Sequence, residues 1–119
     1  MVEEPGSQQL ISVEVRQCIE ATSECYHACA ETLNYSLNGG AVSELLLLRR
    51  LIDCSEAVQA AQNALLRGSE VALMLVAVCV EACENVAESC RRAGGSDPQL
   101  AACADLCDET AECCRRLAV

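Results

Sequence analysis

The strongest constraint on this chain is where its cysteines fall. CVEACENVAESC, residues 79 to 90, places Cys79, Cys83 and Cys90 at gaps of four and seven. CIEATSECYHAC, residues 18 to 29, carries Cys18, Cys25 and Cys29, and the last segment carries Cys103, Cys107, Cys113 and Cys114. All three fit the template C-x3-C-x2-C-x3-C with one inner position replaced, by Val86, Thr22 and Thr110 respectively. Steps of four, three and four keep a stripe on one face of an α-helix. The thiols therefore occupy the inward positions that a helical bundle usually gives to leucine. Cys113 alone is off this register, about 100° around the helix from Cys114.

The rest of the composition agrees with a thiol-filled interior. There is no Phe, no Trp and only two Tyr, so Leu, Val, Ala and Cys must form the core. A length of 119 residues fits one domain, residues 1–119, with one core. Eleven cysteines pose a choice between a disulfide scaffold and a metal protein. The count is odd, and the cysteines lie in helical patterns rather than in loops. Neighbours at i and i+4 hold their Cβ atoms about 5–6 Å apart, whereas a disulfide needs roughly 3.5–4.5 Å. Metal binding is the better reading.

The N-terminal stretch MVEEPGSQQLISVEVRQC shows neither a basic leader nor an apolar h-region. The expectation is a reducing cytosol, where thiols stay free for metal. A formal net charge of −10 argues against nucleic acid as a partner. The pairs Arg49-Arg50, Arg91-Arg92 and Arg115-Arg116 sit among acidic residues and read as solvated helix faces, with favourable charge near helix C-termini.

Punctuation divides the chain into four helical segments, at about residues 9–36, 42–67, 70–93 and 98–118. The breaks are Asn38-Gly39-Gly40, Gly68 followed by a capping Ser69, and Gly94-Gly95 followed by Asp97-Pro98, a cap with proline at the first helical position. Such short connections force an all-α, antiparallel up-down four-helix bundle with a cysteine-lined core. No membrane span is expected: VALMLVAVCV, residues 71 to 80, falls well short of the roughly 20 residues required. The run LLLL at 45 to 48 exceeds the needs of one core stripe and points to a second buried surface, hence self-association.

Folding the helices back at their glycines brings Cys25, Cys54, Cys83 and Cys107 to one level, one thiol from each helix. Cys29 then lies with Cys103 and Cys79 with Cys114, with Cys18 near one end and Cys90 near the other. Soft thiolates with few imidazoles select Cu(I), zinc or iron–sulfur clusters. Cu(I) takes two or three sulfurs and sulfur can bridge, so a column could hold many ions. Zinc prefers discrete tetrahedral sets, and its usual CxxC spacings with paired His are missing.

The CxxxC stripes, the Asp53-Cys54 pair, LLRGS at 65 to 69 and VAESCRR at 86 to 92 together make the chain resemble the four-helix-bundle copper storage proteins of bacteria. The resemblance runs from about Val15 onward. It implies a homotetramer of bundles, each storing several Cu(I) ions on inward-facing cysteines. The ligands would be Cys18, Cys25, Cys29, Cys54, Cys79, Cys83, Cys90, Cys103, Cys107 and Cys114, with Cys113 a bystander. The chain departs from that pattern at Thr22, Val58, Val76, Val86 and Thr110, where cysteine would be accepted, so a lower capacity is expected. His27 reads as a surface residue and Met74 as a packing residue, so neither supplies the His or Met ligand that the family places near the bundle's open end.

Two other readings use the same thiols. An electron carrier would hold a [4Fe–4S] cluster on Cys25, Cys54, Cys83 and Cys107, leaving seven cysteines without a role. A general sink for zinc or other soft metals is the third. An enzyme is not expected, because no nucleophile or open metal position has a general base beside it. Glu20, Glu24, Glu81 and Glu88 alternate with the thiol face and read as solvated surface.

Overall fold

The computed structural model describes residues 12–39, 44–94 and 96–118. Four α-helices account for nearly all of them: α1 (Val13–Leu37), α2 (Leu45–Leu66), α3 (Ala72–Gly94) and α4 (Pro98–Ala118). Each packs against two neighbours, in the cyclic order α1, α2, α3, α4 and back to α1. The antiparallel bundle expected from the short connections is the observed fold. Residues 9–11, 42 and 43, which the sequence assigned to helices, lie outside the described residues.

Local chemistry explains the helix ends. Ser12 caps α1, its side chain accepting from the Val15 backbone N–H at 3.1 Å. Gly68, at φ +66°, ends α2 in a left-handed turn that only glycine adopts without cost. Its N–H reaches the Leu65 carbonyl at 3.2 Å and the Ser69 N–H reaches the Ala64 carbonyl at 2.9 Å. This is the paired pattern that closes a helix C-terminus. Ser69 then accepts from the Val71 N–H at 3.2 Å and leads into α3, which begins at Ala72 rather than at residue 70. Asp97 caps α4: its Oδ1 accepts from the N–H groups of Gln99, at 2.8 Å, and Leu100, at 3.2 Å. The Tyr35 hydroxyl donates to the other carboxylate oxygen at 2.8 Å, tying this cap to α1.

The core follows one spacing in every helix. On α1 the buried positions are Cys18, Thr22, Cys25, Cys29, Thr32 and Ser36; on α2 they include Leu47, Leu51, Cys54, Val58, Ala61 and Leu65. On α3 they include Ala72, Val76, Cys79, Cys83, Val86 and Cys90. Leu100, Cys103, Cys107, Thr110 and Cys114 complete the set on α4. All are steps of three and four, the inward stripe of a packed helix. Leucines gather toward the end where α1 joins α2 and α3 joins α4: Leu47, Leu51 and Leu100 are fully buried there.

The outer faces are paired by charge. Arg91 meets Asp105 and Asp108 across α3 and α4, Arg115 meets Glu84 and Glu112, and Arg50 and Arg92 share Glu88. Arg49, Arg91, Arg92, Arg115 and Arg116 are solvated as expected, but Arg50 is half-buried and donates to Ser89 Oγ at 2.7 Å and to the Asn85 carbonyl at 3.3 Å. Arg91-Arg92 and Arg115-Arg116 stand in the last turns of α3 and α4, but Arg49-Arg50 lies near the start of α2. Of the LLLL run only Leu47 is buried; Leu45 and Leu46 are exposed. Met74 corrects an expectation: at 69% exposure it does not pack within this bundle, because it sits on the outer face of α3 opposite Cys79 and Cys83.

Candidate metal centre

Ten of the eleven cysteines are buried with exposures between 0% and 2%, and all eleven are free thiols. The exception is Cys113, half-buried and in contact with Arg116, whose Nη2 lies 3.4 Å from its sulfur. Cys113 is the cysteine whose spacing takes it off the inward stripe. His27 is exposed and uses Nδ1 on the Ser23 carbonyl at 2.8 Å.

Cys25 is the hub of the sulfur cluster. Its Sγ lies 3.9 Å from that of Cys54, 3.8 Å from Cys83 and 3.9 Å from Cys107, and Cys54 lies 3.7 Å from Cys83. One sulfur from each of the four helices thus meets at a single level. Cys29 extends the cluster toward the leucine end, 4.0 Å from Cys107. The sulfurs of Cys25, Cys29, Cys54 and Cys107 all lie within 4.8 Å of one another. Cys103 interacts with Cys29 and with Cys90, so the chain of thiols continues along the axis. At the opposite end Cys18 meets Cys114 at 3.7 Å. Cys79 interacts with Cys114, but its sulfur turns to the Ala57 carbonyl of α2, 3.3 Å away.

Close packing of thiols divides their acidities. A thiol that receives hydrogen bonds from its neighbours holds negative charge more easily, while a donor keeps its proton. Hydrogen bonds with Cys107, Cys29, Cys54 and Cys83 hold the Cys25 thiol far below its ordinary value. Cys54 is pulled down to about 6, chiefly by Cys107. Cys103 is lowered by Cys107, Cys29 and Cys90. The hydrogen bond to Cys114 and then burial push Cys18 up. At Cys114 the bond from Cys18 acts downward, but contact with Cys79 and burial outweigh it and push the thiol up to about 12.

Such a donor set suits a soft monovalent ion. With the zinc–thiolate length of about 2.3 Å as a yardstick, one ion bridges sulfurs about 4.6 Å apart. The observed contacts reach that separation by small side-chain rotations. Sulfurs already touching at 3.7–3.9 Å leave no space among them for a cube of iron and sulfide.

The sequence did not single out Thr32, whose Oγ1 accepts from Gln99 Nε2 at 3.1 Å and which also hydrogen-bonds Cys103. Its signal was present, since position 32 continues the stripe of 18, 22, 25 and 29. Thr22 and Thr110 stand on the stripe but do not offer their oxygens to it. Thr22 Oγ1 donates to the Cys18 carbonyl at 2.8 Å, and Thr110 Oγ1 to the Leu106 carbonyl at 2.9 Å. Val58, Val76 and Val86 are fully buried among the thiols.

These features define a thiol-lined, metal-binding four-helix bundle. The sequence pattern of the copper storage protein family (Csp) matches residues 11–119, and the chain belongs to that family. Among solved structures it is similar to the Nmul_A1745 protein from Nitrosospira multiformis, at 33% identity and a TM-score of 0.79, covering 88% of this chain and 94% of that one. It is also similar to the Cu(I)-bound copper storage protein BsCsp3, at 26% identity and a TM-score of 0.82, covering 89% and 99%. The apo form of copper storage protein 3 from Bacillus subtilis matches at 26% identity and a TM-score of 0.74, covering 87% and 98%. No curated protein matches the sequence. The resemblance stated from the residues is the family found, and nothing in the comparisons supports the iron–sulfur alternative.

Proposed function

We propose that this chain is a single metal-binding domain that stores several Cu(I) ions on its inward thiols, without catalysing a reaction. The observation that carries the reading is the level at which Cys25 touches Cys54, Cys83 and Cys107, one sulfur from each helix. The ligands are Cys18, Cys25, Cys29, Cys54, Cys79, Cys83, Cys90, Cys103, Cys107 and Cys114. Each Cu(I) that arrives displaces thiol protons to solvent, forms copper–sulfur bonds and keeps its oxidation state. Bridging sulfurs then let ions sit side by side along the axis, which keeps the free copper concentration low.

Two finer statements belong to the same reading. The cellular site is the cytoplasm, which fits eleven free thiols. No described helix is long and apolar enough to cross a membrane. The bundles associate as a homotetramer, which fits the exposed apolar edge of Met74 and Val78 on α3 and Val71 in the turn just before it. Light scattering on the purified protein checks the second statement, and a monomer would overturn it.

The experiment for storage is an anaerobic titration of the reduced protein with Cu(I) in competition with a strong chelator. Several ions per chain are expected, and saturation at one ion or fewer sinks the proposal. Replacing Cys25, Cys54, Cys83 and Cys107 together should reduce the number bound without abolishing it. Complete loss would point to a single cluster site instead.

A further inference from the structure

Sulfur contact is interrupted along the axis. Seven thiols form one group: Cys25, Cys29, Cys54, Cys83 and Cys107 are in sulfur contact, and Cys103 continues it by interacting with Cys29 and with Cys90. Cys18 and Cys114 form a second, 3.7 Å apart, between α1 and α4. Among the described residues no direct sulfur–sulfur hydrogen-bond contact links the two, and Cys79, which interacts with Cys114, is the thiol that stands between them. The intervening level holds Thr22, Val58 and Thr110, all fully buried. Its two hydroxyls are committed to helix carbonyls at 2.8 and 2.9 Å, and valine offers no donor atom. The one sulfur at this level, Cys79, is turned to the Ala57 carbonyl on α2 and also interacts with Cys114.

We propose that the thiol column is two compartments rather than one. The seven-thiol group holds most of the copper, and Cys18 with Cys114 forms a separate site for a single Cu(I). This inference rests on the storage reading. Two sulfurs at 3.7 Å on facing helices separate to about 4.6 Å with a modest rotation and then hold one ion between them. On binding, both thiols release their protons to solvent and the copper stays Cu(I), leaving a bis-thiolate with one negative charge. Cys79 is placed to become a third ligand if its bond to Ala57 opens. An ion crossing to the larger group has to pass a level of hard oxygens and valine methyls, which soft Cu(I) does not favour, and whose single sulfur, Cys79, is held by the Ala57 carbonyl. The end site therefore exchanges independently of the larger group.

The test is native mass spectrometry and chelator-driven release on the full chain, loaded anaerobically with Cu(I). The unmodified protein should release one ion per chain in a phase distinct from the rest. The double variant Cys18→Ser with Cys114→Ser should saturate at one ion fewer and lose that phase. An unchanged count, or a loss of more than one ion, overturns the partition while leaving storage intact. A second variant, Thr22→Cys with Thr110→Cys, puts sulfur into the separating level and should merge the two phases into one. Single-phase release from the unmodified protein also overturns the partition. Saturation of the unmodified chain at one ion or fewer is the different result in which storage and partition fall together.

Discussion

The middle of the bundle and its leucine end are built on the same backbones with the same spacing, yet they are filled by opposite chemistry. At the level of Cys25, Cys54, Cys83 and Cys107 every inward position is a thiol. Toward the α1–α2 and α3–α4 connections, Leu47, Leu51 and Leu100 fill the axis, each fully buried. A buried leucine side chain contributes about 1.5–3 kcal/mol, while a buried cysteine acts as a small hydrophobe whose reactivity decides its use. The difference teaches that holding the fold and holding the metal are assigned to different levels of one core. The end secures the bundle, and the middle gives up packing for sulfur.

The largest effect that tests this division is on stability. Leu51→Ala should cost about 2–5 kcal/mol in urea unfolding of the metal-free protein. Copper uptake per folded chain should be preserved, and a parallel fall in uptake would break the comparison. Copper itself should then stabilise the middle. At a hundredfold excess over its dissociation constant, one site adds about 2.7 kcal/mol by linkage. A thermal melt of loaded against metal-free protein reads this out, and the gain should shrink when Cys25, Cys54, Cys83 and Cys107 are replaced.

Val86→Cys moves one position from the packing role to the ligand role. The swap is close in volume and should cost less than about 1.5 kcal/mol in the metal-free state. Completing the α3 stripe beside Cys83 and Cys90 should raise the copper count, measured by titration, and an unchanged count would show that the stripe alone does not define a ligand.

The smallest effect sits at the α4 cap. The Tyr35 hydroxyl, with the backbone N–H groups of Leu100 and Gln99, holds the Asp97 carboxyl below its usual 3.8. A depressed carboxyl stabilises the fold above its unfolded value and loses that contribution as pH falls through the folded value. Asp97→Asn should therefore lower the melting temperature by a few degrees at neutral pH and flatten its decline below about pH 4. An unchanged acid profile would show that the cap is not anchored by Asp97.

Much of this was legible in the residues. The stripes at Cys18–Cys29, Cys79–Cys90 and Cys103–Cys114 fixed three thiol-bearing faces, because helical periodicity is local and needs no partner. The same arithmetic set Cys113 apart, and it is the one cysteine that is not buried. Gly68 and Asp97 marked helix ends through chemistry confined to a single turn. The family followed from that combination.

Tertiary structure decided what the faces do when they meet. Spacing put Cys79 on the inward stripe, but packing against α2 turned its sulfur to the Ala57 carbonyl. Thr22 and Thr110 occupied ligand positions by count, yet each returned its hydroxyl to its own helix, since a buried oxygen must find an acceptor. Met74 read as packing and stands on the outer face. Sequence periodicity sets which way a side chain leaves its helix. Whether two sulfurs touch depends on interhelical register and rotamer, and those are fixed only when four helices close around a shared axis.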